Sequence, residues 1–214
     1  MKILIKKAKI VNAQSSFHGQ TLDLLIDDSK IGKISENISA DDAKTIEAND
    51  LHVSLGLAYL KSDLCDPGME HKSTIESGLS AAAFGGYTHI SVLPGTTPVV
   101  DGKSQIQYMQ RKADGNVCSI HPIGALTVGM KGENLSEMYD MHQQGVQLFS
   151  DDLVSTNSGI MYRELLYARN FGGTVMTFSR NQFIAGKGMV NEGMASTKTG
   201  LKADPSIGEI IEIE

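Results

Sequence analysis

The pattern of apolar and polar positions divides the chain into two regions. Up to about Ser54, short runs alternate apolar and polar residues, as in KILIKKAKIVNA and TLDLLIDDSKIGKIS. This alternation predicts half-buried β-strands separated by turns. From Leu57 onward, apolar strands alternate with helical stretches, which predicts parallel strands joined by right-handed crossovers. We therefore expect an α/β protein with two domains, at residues 1–54 and 55–214.

The second region contains five predicted strand–helix units. Five units are too few to close an eight-stranded barrel. The last predicted helix has Asp204 and Pro205 at its start but neither glycine nor a basic residue at its end, so we expect the chain to stop within a helix. We expect strands at Leu57–Leu60, His89–Leu93, Val117–His121, Val146–Phe149 and Thr174–Phe178, and helices at His71–Phe84, Lys103–Lys112, Leu135–Gln144, Gly159–Asn170 and Pro205–Glu214.

The segment Ser54–Lys72, SLGLAYLKSDLCDPGMEHK, carries a group of polar residues directly after an apolar strand. In α/β barrels the reactive groups lie at the carboxyl ends of the strands. The segment resembles the first barrel strand of the dihydroorotases, in the amidohydrolase superfamily, where the pattern is close to PGFIDxHVHLREPGxExK. The positions that fall in register with this pattern are Gly56, Leu64, Asp66, Pro67, Gly68, Glu70 and Lys72.

Further runs of the chain are similar to the same family in the same order: the Pro94–Pro98 loop, HPIGALT, FSDD and the segment Val190–Ile207. The resemblance implies the N-terminal part of a TIM-type (β/α)8 amidohydrolase barrel, preceded by part of a small β-sandwich. It also implies a zinc-dependent hydrolase of cyclic amides that acts in pyrimidine synthesis.

The chain departs from the family at the positions that carry its chemistry. Lys61 and Asp63 stand where the family has its two metal-binding histidines, and Phe178 stands where it has the histidine after the fifth strand. Cys65 replaces the arginine that binds the substrate carboxylate, and Gly95 replaces the asparagine of the substrate loop. We interpret these positions as a degenerate metal site and an altered substrate pocket.

The family's bridging aspartate is retained in the FSDD run. We predict Asp152 as the ligand position, with Asp151 and Asp63 as secondary candidates. A protonated lysine repels a metal ion, so we expect Lys61 to pair with one of these three carboxylates.

Other candidate residues can be interpreted as structural as well as functional. Arg180 lies near a predicted strand end and is a candidate anion anchor in the substrate pocket, although an exposed loop arginine is the simpler reading. The six histidines lack the spacing of zinc sites. Among them, only His121 stands at a predicted strand end where its side chain can face the pocket. Asp66-Pro67-Gly68 is most simply a turn.

Composition narrows the possible partners and the compartment. The net charge of −6 offers no basic stripe for nucleic acid, and no apolar run is long enough for a membrane span. Without a secretory signal, the two cysteines indicate a reducing, cytoplasmic location. We expect Cys65 and Cys118 to be buried thiols, with a disulfide as the alternative.

The favoured interpretation is a dihydroorotase-like pseudoenzyme of pyrimidine synthesis, with no catalytic residues and no cofactor. The resemblance implies that it assembles with aspartate carbamoyltransferase, and we also expect association with further copies of itself. The alternative is an active dihydroorotase in which Asp63 and Asp152 hold zinc or another divalent metal. A third interpretation is a repurposed ligand pocket around Lys61, Cys65 and Arg180.

Overall fold

The computed structural model describes residues 1–213 and divides into two compact units. The first unit is Met1–Gly56, and the second begins at Leu57. Together they form a mixed α/β structure, as the sequence predicts. Within residues 1–213, no helix is long and apolar enough to cross a membrane.

The first unit is built from five strands in one sheet. The long strand β1 pairs antiparallel with β2 and parallel with β4 and β5, while β3 pairs with the other edge of β2. Alternate residues of β1 and β2 therefore share one face and form the core of the unit, around Ala8, Ile10, Leu22 and Leu24. The strands are β1 (Ile3–Val11), β2 (Thr21–Asp27), β3 (Lys30–Ser35), β4 (Lys44–Ile46) and β5 (His52–Ser54).

The second unit begins with five parallel strands that alternate with helices. Strands β6, β7 and β8 form one sheet, β9 pairs with β10, and a bridge between Gly124 and Phe149 links the two groups. A Cβ atom on Gly124 would lie 2.9 Å from the Phe149 ring, so the close approach of these strands requires glycine. The strands are β6 (Leu57–Ser62), β7 (Tyr87–Val92), β8 (Ser119–Pro122), β9 (Leu148–Phe149) and β10 (Thr174–Val175).

The helices of the second unit cover one face of the sheet. Ile90 and Val92 of β7 point to this face and are buried with Leu79, Ile106 and Met109 of the helices. Because side chains alternate along a strand, His89 and Ser91 lie on the opposite face. The helices are α1 (Ile75–Phe84), α2 (Lys103–Ala113), α3 (Met138–His142), α4 (Ser158–Arg169), α5 (Gln182–Ala185), α6 (Met194–Thr199) and α7 (Ile207–Ile213).

Each of the five predicted strand–helix units is present, but several boundaries differ. Helix α1 begins at Ile75 rather than His71, because the Thr74 hydroxyl accepts a hydrogen bond from the N–H of Ser77 and caps the helix there. Strand β6 extends to Ser62, so Lys61 belongs to the strand and not to the loop after it. Strand β10 ends at Val175, well before the predicted end.

The region after β10 contains short elements that the sequence pattern does not predict. A parallel pair, β11 (Val190–Asn191) and β12 (Ala203–Asp204), lies between α5 and α7 together with α6. Elements of two to six residues are too short to show a periodic pattern. The last helix was predicted to reach Glu214, which lies outside the described residues.

Candidate functional site

An ion pair joins the carboxyl ends of β6 and β9. The Lys61 Nζ atom lies 3.0 Å from Oδ1 of Asp152, without hydrogen-bonding geometry. In a flat sheet these two strands, three positions apart, would be separated by ~14 Å. The sheet must therefore curve for the pair to form. Of the three carboxylates that the sequence offers Lys61 as partners, the fold selects Asp152.

Asp152 has a backbone conformation that few residues adopt. Its φ is 51°, in the left-handed region that aspartate tolerates better than most residues. Its N–H donates to the Ser150 hydroxyl at 3.0 Å, which closes the turn after β9. Its side chain is 25% exposed, although Oδ1, the oxygen nearest Lys61, is itself buried.

Asp151 is buried and fully engaged in hydrogen bonds. Its Oδ1 accepts the N–H groups of Leu126 and Thr127 at 2.8 and 3.1 Å, and its Oδ2 accepts the Thr127 hydroxyl. Burial raises the pKa of the Asp151 carboxyl, and these hydrogen bonds oppose that rise. Asp151 therefore ties the segment after β8 to the end of β9. Its assignment as a metal ligand stays a prediction.

Asp63 and Cys65 bond to each other in the loop after β6. The Asp63 Oδ1 atom accepts the N–H of Cys65 at 3.2 Å and its thiol at 3.4 Å. Burial raises the pKa of the Cys65 thiol, and the Asp63 carboxylate raises it further. The thiol is therefore protonated at neutral pH and is a poor nucleophile. Cys65 and Cys118 are both free and buried, as predicted.

Asp66 connects the same loop to two helices. It is fully buried, and its two carboxylate oxygens accept the N–H of Ile75 at 3.0 Å and the hydroxyl of Tyr108 at 2.9 Å. The next residues form the predicted turn, and the Pro67 carbonyl accepts the N–H of Thr97 at 3.0 Å. The loop that carries Gly95 is thus held against the turn after β6. Around Gly95 itself, no atom lies within 4 Å of a Cβ added at that position.

Arg180 lies in an acidic environment. Its Nε donates to Oδ2 of Asp204 at 2.6 Å, and its Nη2 donates to the Gly186 carbonyl at 3.5 Å. Arg180 and Phe178 line a cavity of about 380 Å³ together with Glu192 and Glu209. One edge of the guanidinium is already occupied by a carboxylate, and the nearby charges disfavour an anion. Its role as an anion anchor stays a prediction without support from its contacts.

Sequence reasoning missed Glu164, a buried carboxyl group on α4. Its side chain has no exposed surface, and neither oxygen has a hydrogen-bond partner within residues 1–213. Burial raises the pKa of Glu164 to about 7, the charge of Asp151 adds to the rise, and the nearby Thr156 hydroxyl opposes it. The helical spacing could have revealed it, because Glu164 shares the buried stripe of α4 with Ile160 and Ala168, four residues away on either side.

His121, the histidine predicted to view a pocket, faces another histidine. Its Nε2 lies 3.0 Å from the Nδ1 atom of His89 on the neighbouring strand. Both rings line a cavity of about 260 Å³ on the face of the sheet opposite the helices. Sequence spacing missed this pair because 32 residues separate its members.

The strand-end residues do not fit the zinc centre that the family resemblance implies. Zinc sites need three or four ligands that offer lone pairs, whereas here an ammonium group lies beside Asp152, the predicted ligand position. Over the described part of the chain, no group of three or more histidine, cysteine, aspartate or glutamate side chains is arranged to hold a metal ion.

Comparison with known proteins identifies a family. A family model described as dihydro-orotase-like matches residues 52–214. The chain is 38% identical to the dihydroorotase of Syntrophotalea carbinolica, over 98% of this chain and 50% of that protein. It is 36% identical to the dihydroorotase of Geotalea daltonii, over 100% of this chain and 51% of that protein. The chain thus spans about half the length of the curated relatives it matches.

Solved structures share the fold. The L-hydantoinase (dihydropyrimidinase) of Arthrobacter aurescens superposes with a TM-score of 0.74 at 19% identity, over 99% of this chain and 48% of that chain. A D-hydantoinase superposes with a TM-score of 0.66 at 26% identity, over 86% of this chain and 41% of that chain. The mixed α/β architecture is therefore similar to that of the hydantoinases.

Proposed function

This chain belongs to the dihydro-orotase-like family, and from that premise we propose that its protein is a non-catalytic dihydroorotase-like component of pyrimidine synthesis. The observation that carries the proposal is the ion pair between Lys61 and Asp152. A lysine ammonium takes the place of a metal ion beside the one retained aspartate. The protein would then keep the family scaffold without its metal-dependent chemistry.

Electrostatic repulsion disfavours metal binding at the strand ends. A cation that approaches Asp152 meets the positive charge of Lys61, 3.0 Å from the same carboxylate. Lys61 would have to swing into solvent and leave its partner before the metal could bind. The other candidate ligand, Asp63, already accepts two hydrogen bonds from Cys65. A metal here would therefore break existing interactions before it formed new ones.

Two replaced substrate-binding positions and one further metal-ligand position add support. The resemblance assigns an arginine and an asparagine to substrate binding, where this chain has Cys65 and Gly95. Neither can supply a charged or bidentate donor to a carboxylate. Phe178, at a ligand position of the family pattern, offers only an apolar ring.

We also propose that the second unit forms the first five β/α units of a TIM-type barrel. Its parallel strands follow one another in chain order, and the Lys61–Asp152 pair requires the sheet to curve. The first unit would then be the N-terminal part of a composite β-sandwich. The remaining strands of both domains would come from the half of the family length that this sequence does not cover.

For partners, we propose aspartate carbamoyltransferase together with further copies of the same protein. The support is the resemblance to non-catalytic members of the family, because a scaffold without chemistry acts through assembly. Co-expression of the two proteins followed by size-exclusion chromatography tests this. We expect co-elution at a mass above that of either protein alone, and separate elution would contradict the partnership.

The experiment that tests the central proposal combines metal analysis with an activity assay. The full-length protein is purified without chelator, and its zinc and manganese content is measured together with its hydrolysis of dihydroorotate. We expect no turnover and no metal that depends on Asp152. Near-stoichiometric metal that disappears in Asp152→Asn, together with turnover, would establish an active dihydroorotase with a reduced site instead.

A further inference from the structure

Helix α4 carries apolar residues on two sides. One side, which includes Ile160 and Ala168, is buried against the rest of the second unit. The other side exposes Tyr162, Leu165 and Leu166, whose exposed fractions are 64%, 50% and 46%. A surface helix of a globular protein usually has charged and polar residues on its outer side. Within residues 1–213, α4 therefore presents an uncovered apolar surface of the kind that binds another protein.

The exposed residues form one stripe along the helix. Tyr162, Leu165, Leu166 and Arg169 follow the i, i+3, i+4, i+7 spacing that places residues on one side of a helix, and all four are exposed. Tyr162 and Arg169 are about two turns apart, or ~10.5 Å along the axis, and the two leucines lie between them. This outer stripe of α4 thus has an aromatic ring at one end, an apolar centre and a guanidinium at the other end.

The outer stripe points away from the sheet. Tyr162 and Leu166 lie two positions before and after the buried Glu164, so each is ~160° from it around the helix. Helix α4 connects β9 to β10, whereas the strands at the two edges are β6 and β10. Strands from the remaining family length would extend the sheet beyond these edges, and their crossover helices would follow α7 or precede α1. They would therefore leave the outer stripe uncovered.

A neighbouring helix extends this surface at the end of α4. Tyr139 of α3 is 45% exposed, and its ring packs against Phe171, which follows α4, with ring centroids 5.8 Å apart. The Phe171 ring also lies 5.6 Å from the Tyr167 ring of α4 and 4.9 Å from the His142 ring of α3. Aromatic packing thus holds α3 beside the end of α4, and the exposed surface spans both helices.

We propose that the outer stripe of α4 is the surface through which two copies of this protein associate about a two-fold axis. Such an interface uses the same surface of both copies and must be self-complementary. When two α4 helices pack antiparallel with Leu165 and Leu166 at the axis, Tyr162 of one copy faces Arg169 of the other. The same contact repeats on the other side of the axis. A guanidinium over a tyrosine ring is attracted to it, and the leucines fill the centre.

The charges of the stripe determine both the orientation and the occupant. A parallel pair would bring the two Arg169 side chains together, and like charges repel. In the antiparallel pair they lie at opposite ends, ~10.5 Å apart along the axis, which is about one Debye length at physiological salt. Each group of the stripe then has a partner in an identical stripe, so a second copy is the occupant that fits it.

The placement of the interface on α4 rests on the self-association proposed above and does not depend on whether the protein is catalytic. Sedimentation equilibrium of the full-length protein over a range of concentrations tests it. We expect a monomer–dimer equilibrium that Leu166→Glu weakens by at least ~30-fold, the effect of losing an interface hot spot. Phe84→Glu is the matched control, because Phe84 is an exposed apolar residue of another helix, and its dimer should be unaffected. Both side chains are exposed, so the circular dichroism spectra should not change.

An exchange of the two end residues tests the antiparallel pairing itself. Tyr162→Arg alone places two guanidiniums opposite each other at both ends of the interface, and we expect the dimer to weaken by at least ~10-fold. Tyr162→Arg/Arg169→Tyr restores an arginine opposite a tyrosine, so its dissociation constant should return to within ~3-fold of that of the unmodified protein. A double variant that dimerises no better than Tyr162→Arg would overturn the pairing.

The remaining outcomes separate this inference from the proposed function. A full-length protein that stays monomeric at every concentration would contradict the self-association as well as its placement. A dimer that Leu166→Glu leaves intact, or that Phe84→Glu weakens equally, would contradict only the placement on α4. The same samples are also mixed with aspartate carbamoyltransferase. A monomeric protein whose binding to that enzyme is lost in Leu166→Glu would assign the outer stripe to the enzyme and overturn the pairing of two copies.

Discussion

At the scale of single residues, the partner of each carboxylate decides what it can do. Asp151 accepts three hydrogen bonds and ties two segments together, whereas the adjacent Asp152 faces an ammonium group. Glu164 has no partner in the described structure and keeps its proton to near neutral pH. Three acidic residues thus have three different roles, which their residue type alone does not reveal.

Restoring the family's two histidines should recover metal binding at the strand ends. In Lys61→His/Asp63→His, two imidazoles replace an ammonium and an engaged carboxylate, so lone pairs converge near Asp152. We expect zinc affinity to rise at least ~10-fold, or about 1.4 kcal/mol. Calorimetric titration of the double variant and of the unmodified protein with Zn²⁺ measures the gain. The control Lys61→Met removes the charge without adding a ligand, and an equal gain in that variant would contradict the explanation.

Glu164 should make the free energy of unfolding depend on pH. Its folded-state pKa is about 7, above the ordinary value of 4.5, so the folded protein holds this proton more tightly than the unfolded chain. The resulting stabilisation is complete below pH 4.5 and is lost as the pH rises to 7, by about 3 kcal/mol in total. Urea unfolding between pH 4.5 and 8 measures this effect. Glu164→Gln cannot ionise, so its free energy of unfolding should lack this dependence on pH. The same pH dependence in the variant and the unmodified protein would contradict the role of Glu164.

At the scale of elements, the loop after β6 connects two helices and a neighbouring loop. Asp66 holds the first turn of α1 and the side chain of Tyr108 on α2. A hydrogen bond from the N–H of Thr97 to the carbonyl of Pro67 also links the segment before Pro98 to this loop. The Asp66-Pro67-Gly68 motif thus positions helices in this structure, through the two hydrogen bonds that Asp66 accepts.

Removal of the Asp66 carboxylate should loosen both helices. In Asp66→Ala the N–H of Ile75 and the hydroxyl of Tyr108 lose their buried acceptors, at about 1–3 kcal/mol for each group left unsatisfied. Tyr108→Phe removes one hydrogen bond and should destabilise by only about 1 kcal/mol. Denaturant unfolding of both variants measures the difference. Equal losses in the free energy of unfolding of Asp66→Ala and Tyr108→Phe would show that the hydrogen bond to the N–H of Ile75 contributes nothing.

Two glycines in neighbouring loops should differ strongly in how much a substitution changes stability. Gly68 has a φ of +96°, and an added Cβ would lie 2.1 Å from the Thr97 carbonyl oxygen, so Gly68→Ala should lose about 3 kcal/mol or more. Gly95 has open space around the same position, and Gly95→Ala or Gly95→Asn should change stability by less than about 0.5 kcal/mol. Thermal unfolding of the three variants tests the contrast. A Gly68→Ala variant as stable as Gly95→Ala would show that the loops can separate.

At the scale of the whole molecule, the second unit exposes more apolar surface than a self-contained domain does. Strand β6 has a partner on one side only within the described residues, and it exposes Leu57 and Leu60. Unpaired strand edges and exposed apolar faces promote association. Other large apolar residues with substantial exposure are Phe84, Leu165, Leu166, Phe183, Ile210 and Ile213.

The 214 residues expressed alone should therefore aggregate or require the rest of the family length to fold. Size-exclusion chromatography and thermal unfolding of this sequence, beside the full-length protein, provide the test. We expect the full-length protein to unfold cooperatively and the 214 residues to elute as aggregates. A monomer of the 214 residues that unfolds cooperatively would show that its exposed apolar surface needs no cover.

The alternation of apolar and polar positions was sufficient to predict β-strands in the first unit and the order of five strand–helix units in the second. Local sequence determines these features because period and turn residues act over a few neighbouring positions. The sequence alone also predicts that Lys61, Asp63 and Phe178 stand at ligand positions of the family, and this stays a prediction.

Only the tertiary structure decided which side chains meet. The choice of Asp152 as the partner of Lys61 depends on the curvature of the sheet, and the contact between His89 and His121 depends on strand register. Similarly, the hydrogen bond between Arg180 and Asp204 depends on elements that are too short to predict from a periodic sequence pattern. Such contacts join residues 24 to 91 positions apart, and their partners are chosen by packing that local periodicity does not encode.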